Sequence, residues 1–292
     1  MAEKPNYTCD LHLHTDASDG GYPVEELVDR AAGNRMQAIA ITDHDTTASV
    51  ERGIRHASGT GLRVVPGVEL TTLERHHILG YFIDCRAPRL AGYLSGLRER
   101  SRAFMAGLLD RFRRERGLAV ADEELARRTG EGIPNMSHLL DVMYRRGDLS
   151  GVAFDSAEAV EFFGSPDFMV NYFREFARTR PFVDAAGAIG LILSAGGVPV
   201  WAHPLLAGED EVRKLQETGL LGLEVNTPKH DLAARDYLLG LCARLELIPT
   251  GGTDYHGRYF DSIEHGRQIG CYGVEPEVVS RLAGLAMAEK TA

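Results

Sequence analysis

Asp10-Leu11-His12-Leu13-His14-Thr15-Asp16-Ala17-Ser18-Asp19 is the end of a strand followed by a short acidic loop. The apolar alternation from Tyr7 to Leu13 has the period of a strand, so the histidines at i and i+2 share one face of it. Two imidazoles converging at a strand end can grip one divalent metal ion, and Asp16 and Asp19 supply oxygen donors just beyond. A lone His-x-His pair also suits two hydrogen-bonded barrel histidines, so the reading depends on what the other strand ends carry.

Strand-like and helix-like segments alternate outward from this stretch. A helix is predicted from Pro23 toward Gly33, a strand over Ala38–Thr42, a helix over Thr46–Ser58, and strands over Leu62–Leu70 and His76–Ile83. Such β-α alternation points to parallel strands buried under helices. From about Leu90 to Phe182 the pattern turns helical and highly charged, with Leu108, Leu109 and Phe112 at helical spacing in a stretch over Leu97–Arg116. Further helices are expected over Ser137–Arg146 and Phe168–Arg178, the latter after a break at Gly164-Ser165-Pro166-Asp167. The alternation resumes at Val183, with strands over Val198–Ala202, Gly222–Thr227 and Leu247–Gly251, separated by helices over Glu209–Glu217 and Asp231–Leu245; a last helix spans Pro276–Lys290. The chain therefore reads as one α/β domain, residues 1–89 and 183–292, split by a helical insertion subdomain, residues 90–182. About seven strand–helix units fit a closed or nearly closed barrel better than a small open sheet, with a doubly wound sheet as the structural alternative. No G-x-G-x-x-G or P-loop is present, so no dinucleotide or Walker-type site is indicated.

With 32 Lys and Arg against 42 Asp and Glu, the net charge of -10 is wrong for a protein that grips long nucleic acid through its phosphates. Four scattered cysteines, Cys9, Cys85, Cys242 and Cys271, form no C-x-x-C pair, which argues against a disulfide framework and for a reducing, cytoplasmic setting. No apolar run reaches membrane-spanning length.

Chemistry-bearing residues recur at the predicted strand ends. The second strand runs into Thr42-Asp43-His44-Asp45 and the third ends Gly67-Val68-Glu69. The strand after the insertion ends Ala202-His203-Pro204, and the last strand leads into Gly252-Thr253-Asp254-Tyr255-His256-Gly257. His77 alone falls at a strand start, which fits if that strand runs opposite to its neighbours or if this ligand lies away from the others. Most of the 11 histidines lie beside carboxylates at these positions. Such a donor set suits Mn, Zn or Fe and is too rich in nitrogen for Ca or Mg.

These segments, together with His77-Ile78-Leu79-Gly80, resemble the motifs of the polymerase-and-histidinol-phosphatase (PHP) family, amidohydrolase-like metal enzymes, in that family's order over most of residues 7–85 and 183–273. The resemblance implies a distorted (β/α)7 barrel with two or three metal ions. Carried over by motif, His12, His14, Glu69 and Asp254 would hold the first ion. Glu69, His77 and His203 would hold the second, and Asp19, His44 and His256 the third, with Glu69, His203 and Asp254 central to catalysis. The implied reaction is attack of a metal-bound hydroxide on phosphorus without a covalent enzyme intermediate.

The helical insertion after His77–Tyr81 resembles the branch that removes the 3′-phosphate from nucleoside 3′,5′-bisphosphates. The alternatives are 5′-3′ exoribonuclease action on short RNA, histidinol phosphatase, cyclic sugar-phosphate hydrolysis, or a non-catalytic metal-binding regulator. Small phosphorylated nucleotides are the expected partners, with no membrane or protein partner indicated. Asn135, Lys229, His230 and Arg258, with Arg267 behind them, are the residues that could meet substrate phosphate. Asp43, Asp45 and His230 are candidate general acids, and His138 is expected to pack. The Arg-Pro-His element that related bacterial proteins carry near Gly132-Ile133-Pro134 is missing from this chain.

Overall fold

In a computed structural model, which describes residues 7–150, 162, 168–179, 182–205, 207–257 and 268–289, seven strands form one sheet in sequence order. They are β1 (Cys9–Leu13), β2 (Ala38–Ile41), β3 (Arg63–Thr71), β4 (His77–Tyr81), β5 (Val198–Ala202), β6 (Gly222–Asn226) and β7 (Ile248–Gly251). The sheet nearly closes. His14 N–H donates to Tyr255 O and Tyr255 N–H to His12 O just beyond β7, and Val274 N–H donates to Cys9 O. The helices are α1 (Val24–Gly33), α2 (Val50–His56), α3 (Pro88–Arg116), α4 (Asp122–Thr129), α5 (Met136–Arg146), α6 (Phe168–Thr179), α7 (Ala185–Ser194), α8 (Glu209–Glu217), α9 (Leu232–Leu245) and α10 (Pro276–Glu289).

The expected barrel is present, with one departure from uniform parallel strands. β4 pairs antiparallel with both β3 and β5, and every other pair is parallel. Only residues 72–76 separate β3 from β4, too few for the crossover that a parallel return needs, so the chain turns back as a hairpin. The reversal brings His77, at the start of β4, level with Thr71 and Ala202 near the ends of β3 and β5.

β1 changes phase along its length. Cys9 and Leu11 pack with Val65, Leu79, Val200 and Ile248, whereas Leu13 packs with Ile39, Ile41 and Leu27 of α1. The pairing with β2 slips between Asp10 and Leu13, a bulge that re-aims the strand end, and it lets Leu11 and the His12–His14 pair occupy the same side. α10 lays Val279 and Leu282 against the interior cluster, and α3, α7 and α9 cover the outer face of the sheet.

A separate apolar cluster unites α3, α4, α5 and α6 through residues such as Met105, Phe112, Leu125, Leu139 and Tyr172. α3 starts earlier than its sequence pattern indicates. Its first turns, with Leu90 and Leu94, belong to the barrel layer, and its last, with Leu108 and Phe112, to the helical cluster. One continuous helix thus crosses the boundary expected at residue 90. α2 is shorter than expected because Thr46 and Ser49 use their hydroxyls in the preceding turn, on Ala48 N–H and Asp43.

The β1–β7 seam hangs on Asp10. Its fully buried carboxylate accepts from Thr253 N–H and Oγ1–H, Gly270 N–H and His12 N–H. Asp10→Ala leaves these donors dry and unpaired, a cost of about 1–3 kcal/mol per orphaned group. Thermal unfolding should show a midpoint lowered by roughly 5 °C or more; an unchanged midpoint would remove Asp10 from the seam's account.

Candidate metal centre

All nine sequence-predicted donors converge at one end of the barrel. β1 presents His12 and His14, the loop after it Asp19, the turn after β2 His44, β3 Glu69, β4 His77, the turn after β5 His203, and the segment after β7 Asp254 and His256. Three sets bring donor atoms within 4.8 Å of one another: His12, His14, Glu69 and Asp254; His14, Asp19, His44 and His256; and His44, Glu69 and His77. The first set coincides with the expected one, and the second gains His14. In the third, His44 stands where His203 was expected, although His203 Nε2 is also 3.2 Å from Glu69 Oε1.

Glu69 is the hub. Its Oε2 lies 3.0 Å from His12 Nε2, 3.2 Å from His14 Nε2 and 3.2 Å from His44 Nδ1, and its Oε1 lies 2.9 Å from His77 Nδ1. Asp254 Oδ1 is shared by His12 and His14 at 3.2 and 3.1 Å. His203 and Asp254 hold positive φ angles of 33° and 52°, unusual for non-glycine residues and frequent where a site imposes its geometry. Gly252 is obligatory here: a Cβ would sit 2.5 Å from His12 Cβ.

The donor chemistry asks for cations. Glu224, fully buried, takes His12 Nδ1–H at 2.9 Å, which turns the Nε2 lone pair toward two carboxylates. That arrangement is repulsive unless a proton or a metal ion lies between. Burial opposes a second proton on His12, yet Glu224, Glu69 and Asp254 outweigh it and pull its pKa well above the ordinary value. Burial likewise opposes charge on Glu69, but His44, His12 and His77 hold its carboxyl far below the usual range. His44 is pushed down to about 3, mainly by burial, so one of its ring nitrogens keeps a lone pair at neutral pH. His14 Nδ1 and His44 Nδ1 are buried with no hydrogen-bond partner among the described residues. Orphaned imidazole nitrogens around buried carboxylates fit divalent metal ions.

Sequence reasoning missed Glu224, which also accepts from His203 N–H at 2.9 Å and so orients two of the imidazole-bearing segments. Its signal was its place near the end of β6. The candidate acid Asp43 serves another purpose. Its carboxylate accepts from Thr15 N–H, Thr15 Oγ1–H, Ser18 Oγ–H and Ser49 Oγ–H, so it holds the loop after β1. Asp45 is buried and accepts from Thr71 N–H.

Of the candidate substrate residues, Lys229 reaches the centre. Its Nζ is 2.6 Å from Asp254 Oδ2 and its side chain is 36% exposed. Burial works against its charge, but Asp254 and Glu69 outweigh it and raise its pKa. His230 is buried, with Nδ1–H donating to Val225 O. Asn135 is not poised for substrate: Oδ1 caps α5 by accepting from Ser137 and His138 N–H, and Nδ2–H donates to Ser18 O. His138 packs as expected, and donates from Nε2 to Asp16 O. Arg258 and Arg267 lie outside the described residues.

The PHP domain profile matches residues 10–228. The chain is 32% identical over 259 residues to a phosphoribosyl 1,2-cyclic phosphate 1,2-diphosphodiesterase of Eggerthella lenta, covering 86% of this chain and 94% of that one. It is 29% identical over 285 residues to a 3′,5′-nucleoside bisphosphate phosphatase of Chromobacterium violaceum, covering 89% and 90%. A solved structure from Bifidobacterium adolescentis, described as a metal-dependent phosphoesterase, superposes with a TM-score of 0.75 at 22% identity, over 97% of this chain and 98% of that one, and so shares the fold.

Because His12 without a metal must hold an extra proton between its carboxylates, uptake of divalent metal by the depleted protein should release protons at pH 7 and weaken as pH falls. Calorimetric titration in buffers of different ionisation enthalpy reads this directly, and no buffer dependence would refute it. Glu224→Ala, which frees the His12 ring, should weaken the tightest ion about 10- to 100-fold in the same titration.

Proposed function

The chain belongs to the PHP domain family and is a metal-dependent phosphoesterase; on that premise we propose that it hydrolyses the 3′-phosphate of nucleoside 3′,5′-bisphosphates, such as adenosine 3′,5′-bisphosphate, to the 5′-monophosphate and phosphate. The observation that carries the proposal is the buried Glu69, within reach of five imidazoles, at the mouth of the barrel. Divalent ions bound there lower the pKa of water and neutralise charge developing on phosphoryl oxygens. Manganese is the ion proposed, with zinc and iron as alternatives. Support for the substrate comes from the near-full-length relative that bears this activity in its name.

The residues divide the work on this reading. Glu69, with His12, His14, His44, His77, His203, His256, Asp19 and Asp254, would hold the ions. Glu224 fixes the tautomer of His12. Lys229 holds Asp254 through Oδ2 and leaves Oδ1 to the histidines, and on this reading its ammonium offers its remaining N–H donors to a substrate phosphate. The catalytic barrel is proposed as residues 1–89 and 183–292, with the insertion as residues 90–182. None of the four cysteines is in a disulfide among the described residues, and no helix among those residues is long and apolar enough to cross a membrane. We place the reaction in the cytoplasm, with small nucleotides as partners.

A second reading, hydrolysis of a cyclic ribose phosphate, is favoured by the 32% identity to the Eggerthella lenta diesterase. Product analysis, for inorganic phosphate, mononucleotide and ring-opened monoester, on adenosine 3′,5′-bisphosphate, 5′-AMP, 3′-AMP, histidinol phosphate, phosphoribosyl 1,2-cyclic phosphate and a short 5′-phosphorylated RNA separates the candidates. The manganese-loaded protein should prefer the 3′,5′-bisphosphate, and the depleted protein should be inactive; preference for the cyclic ester would establish the second reading. Glu69→Gln should keep the fold and lose turnover at least about 10³-fold. Lys229→Met removes one charged hydrogen bond and should lower kcat/KM about 10- to 100-fold.

A further inference from the structure

Asp19 is the donor with the least support from the barrel itself. It lies on the loop after β1, not on a strand, and its carboxylate faces His14 Nδ1 at 3.7 Å, His44 Nε2 at 3.9 Å and His256 Nε2 at 3.4 Å. The three residues before it are held in an unusual way. The carbonyls of Asp16, Ala17 and Ser18 each accept one hydrogen bond, all at 2.8 Å and all from the insertion: Asp16 O from His138 Nε2–H, Ala17 O from Ile133 N–H, and Ser18 O from Asn135 Nδ2–H. Gly132 lies flat against the same loop, where a Cβ would come within 2.2 Å of Ala17 O. From the barrel side, Asp43 grips Thr15 and Ser18.

The donors are themselves fixed. Asn135 Oδ1 caps α5, and His138 Nδ1 accepts Asn135 N–H, so the amide and the imidazole are locked in place by the first turn of the helix. The apolar cluster that anchors α5 contains no barrel strand residue. The loop is thus pinned between two separately packed bodies.

We propose that residues 132–138 form a clasp that positions Asp19, so that occupancy of the ion site made by His14, Asp19, His44 and His256 depends on the docked insertion. Asn135 and His138 are positioning residues, acting on the metal through the loop backbone. This rests on the metal-site reading above. It gives the insertion a task besides contacting substrate: it completes one ion site of the centre while leaving the site on His12, Glu69 and Asp254 to the barrel.

The test is metal content and affinity, by elemental mass spectrometry and calorimetric titration with manganese, on the full-length wild type and variants. Asn135→Asp keeps the helix cap but replaces the donor to Ser18 O with an oxygen. His138→Leu removes the donor to Asp16 O, and His138→Gln retains an N–H and an acceptor. Asn135→Asp and His138→Leu should weaken one ion about 10- to 100-fold and leave the others unchanged. Excess manganese should then restore turnover, and His138→Gln should bind nearly as the wild type does. Gly132→Ala, with cap and donors intact, should give the same selective loss, so that limited proteolysis across α4 and α5 identifies the variants with a folded insertion and those decide the matter. Folded variants with wild-type stoichiometry and affinity would overturn the clasp alone. A wild type that takes up no ion would sink the metal reading and the clasp with it.

Discussion

Glu69 lies within 3.2 Å of five imidazole nitrogens in a place that water scarcely reaches. A buried carboxylate is costly unless positive charge meets it, and buried imidazoles are costly unless each nitrogen has a partner. Each requirement alone could be met by protons. Together, with Asp254 and Glu224 also buried beside the same rings, they demand cations at fixed points. Much of the architecture serves to keep these like-charged and lone-pair-bearing groups converged. The bulge in β1 re-aims its end, positive φ angles bend the chain at His203 and Asp254, and Asp10 and Asp43 tie down the backbone around the donors.

The reversed β4 is part of the same solution. A strand entering from the opposite end brings the residue at its start to the rim, so His77 and Glu69 belong to one hairpin and meet at 2.9 Å. A crossover helix between them would have returned β4 parallel and placed His77 at the far end of the barrel. The cost is an interruption of the helical layer, which α3 and α7 fill by packing Leu90, Leu94, Ile189 and Ile192 over the outer face.

The candidate donors were legible in two steps: a strand has a fixed period and an α/β barrel gathers its strand ends, which marked the clusters holding His12, His14, Glu69, His203 and Asp254, and the resemblance to the PHP motifs then picked these residues out of the clusters. What was not legible was fixed by tertiary contact. The bulge that lets Leu11 and His12 share a side leaves no local mark, and Glu224 gains its meaning only when β6 lies beside β1. Asp43 resembles a catalytic acid in sequence and is a four-donor brace in space. Asn135, which looked like a substrate contact, is committed to a helix cap and to Ser18 O. The length of α3 was missed because its first turns follow the barrel's packing, not an amphipathic repeat of their own.

This commitment of the insertion bears on specificity. A shared set of ions treats any phosphoryl group alike, so choice among ribose phosphates must come from polar groups around the mouth that meet the rest of the substrate. With Asn135 and His138 occupied in holding the loop of Asp19, and no Arg-Pro-His element beside them, discrimination on the proposed reading shifts to the segments after β6 and β7. Lys229 already stands there, with one face on Asp254 and another toward solvent. A cation paired with one oxygen of a buried carboxylate keeps that carboxylate aimed at the histidines, so the charge balance of the centre and the polar groups at its rim are coupled through one side chain.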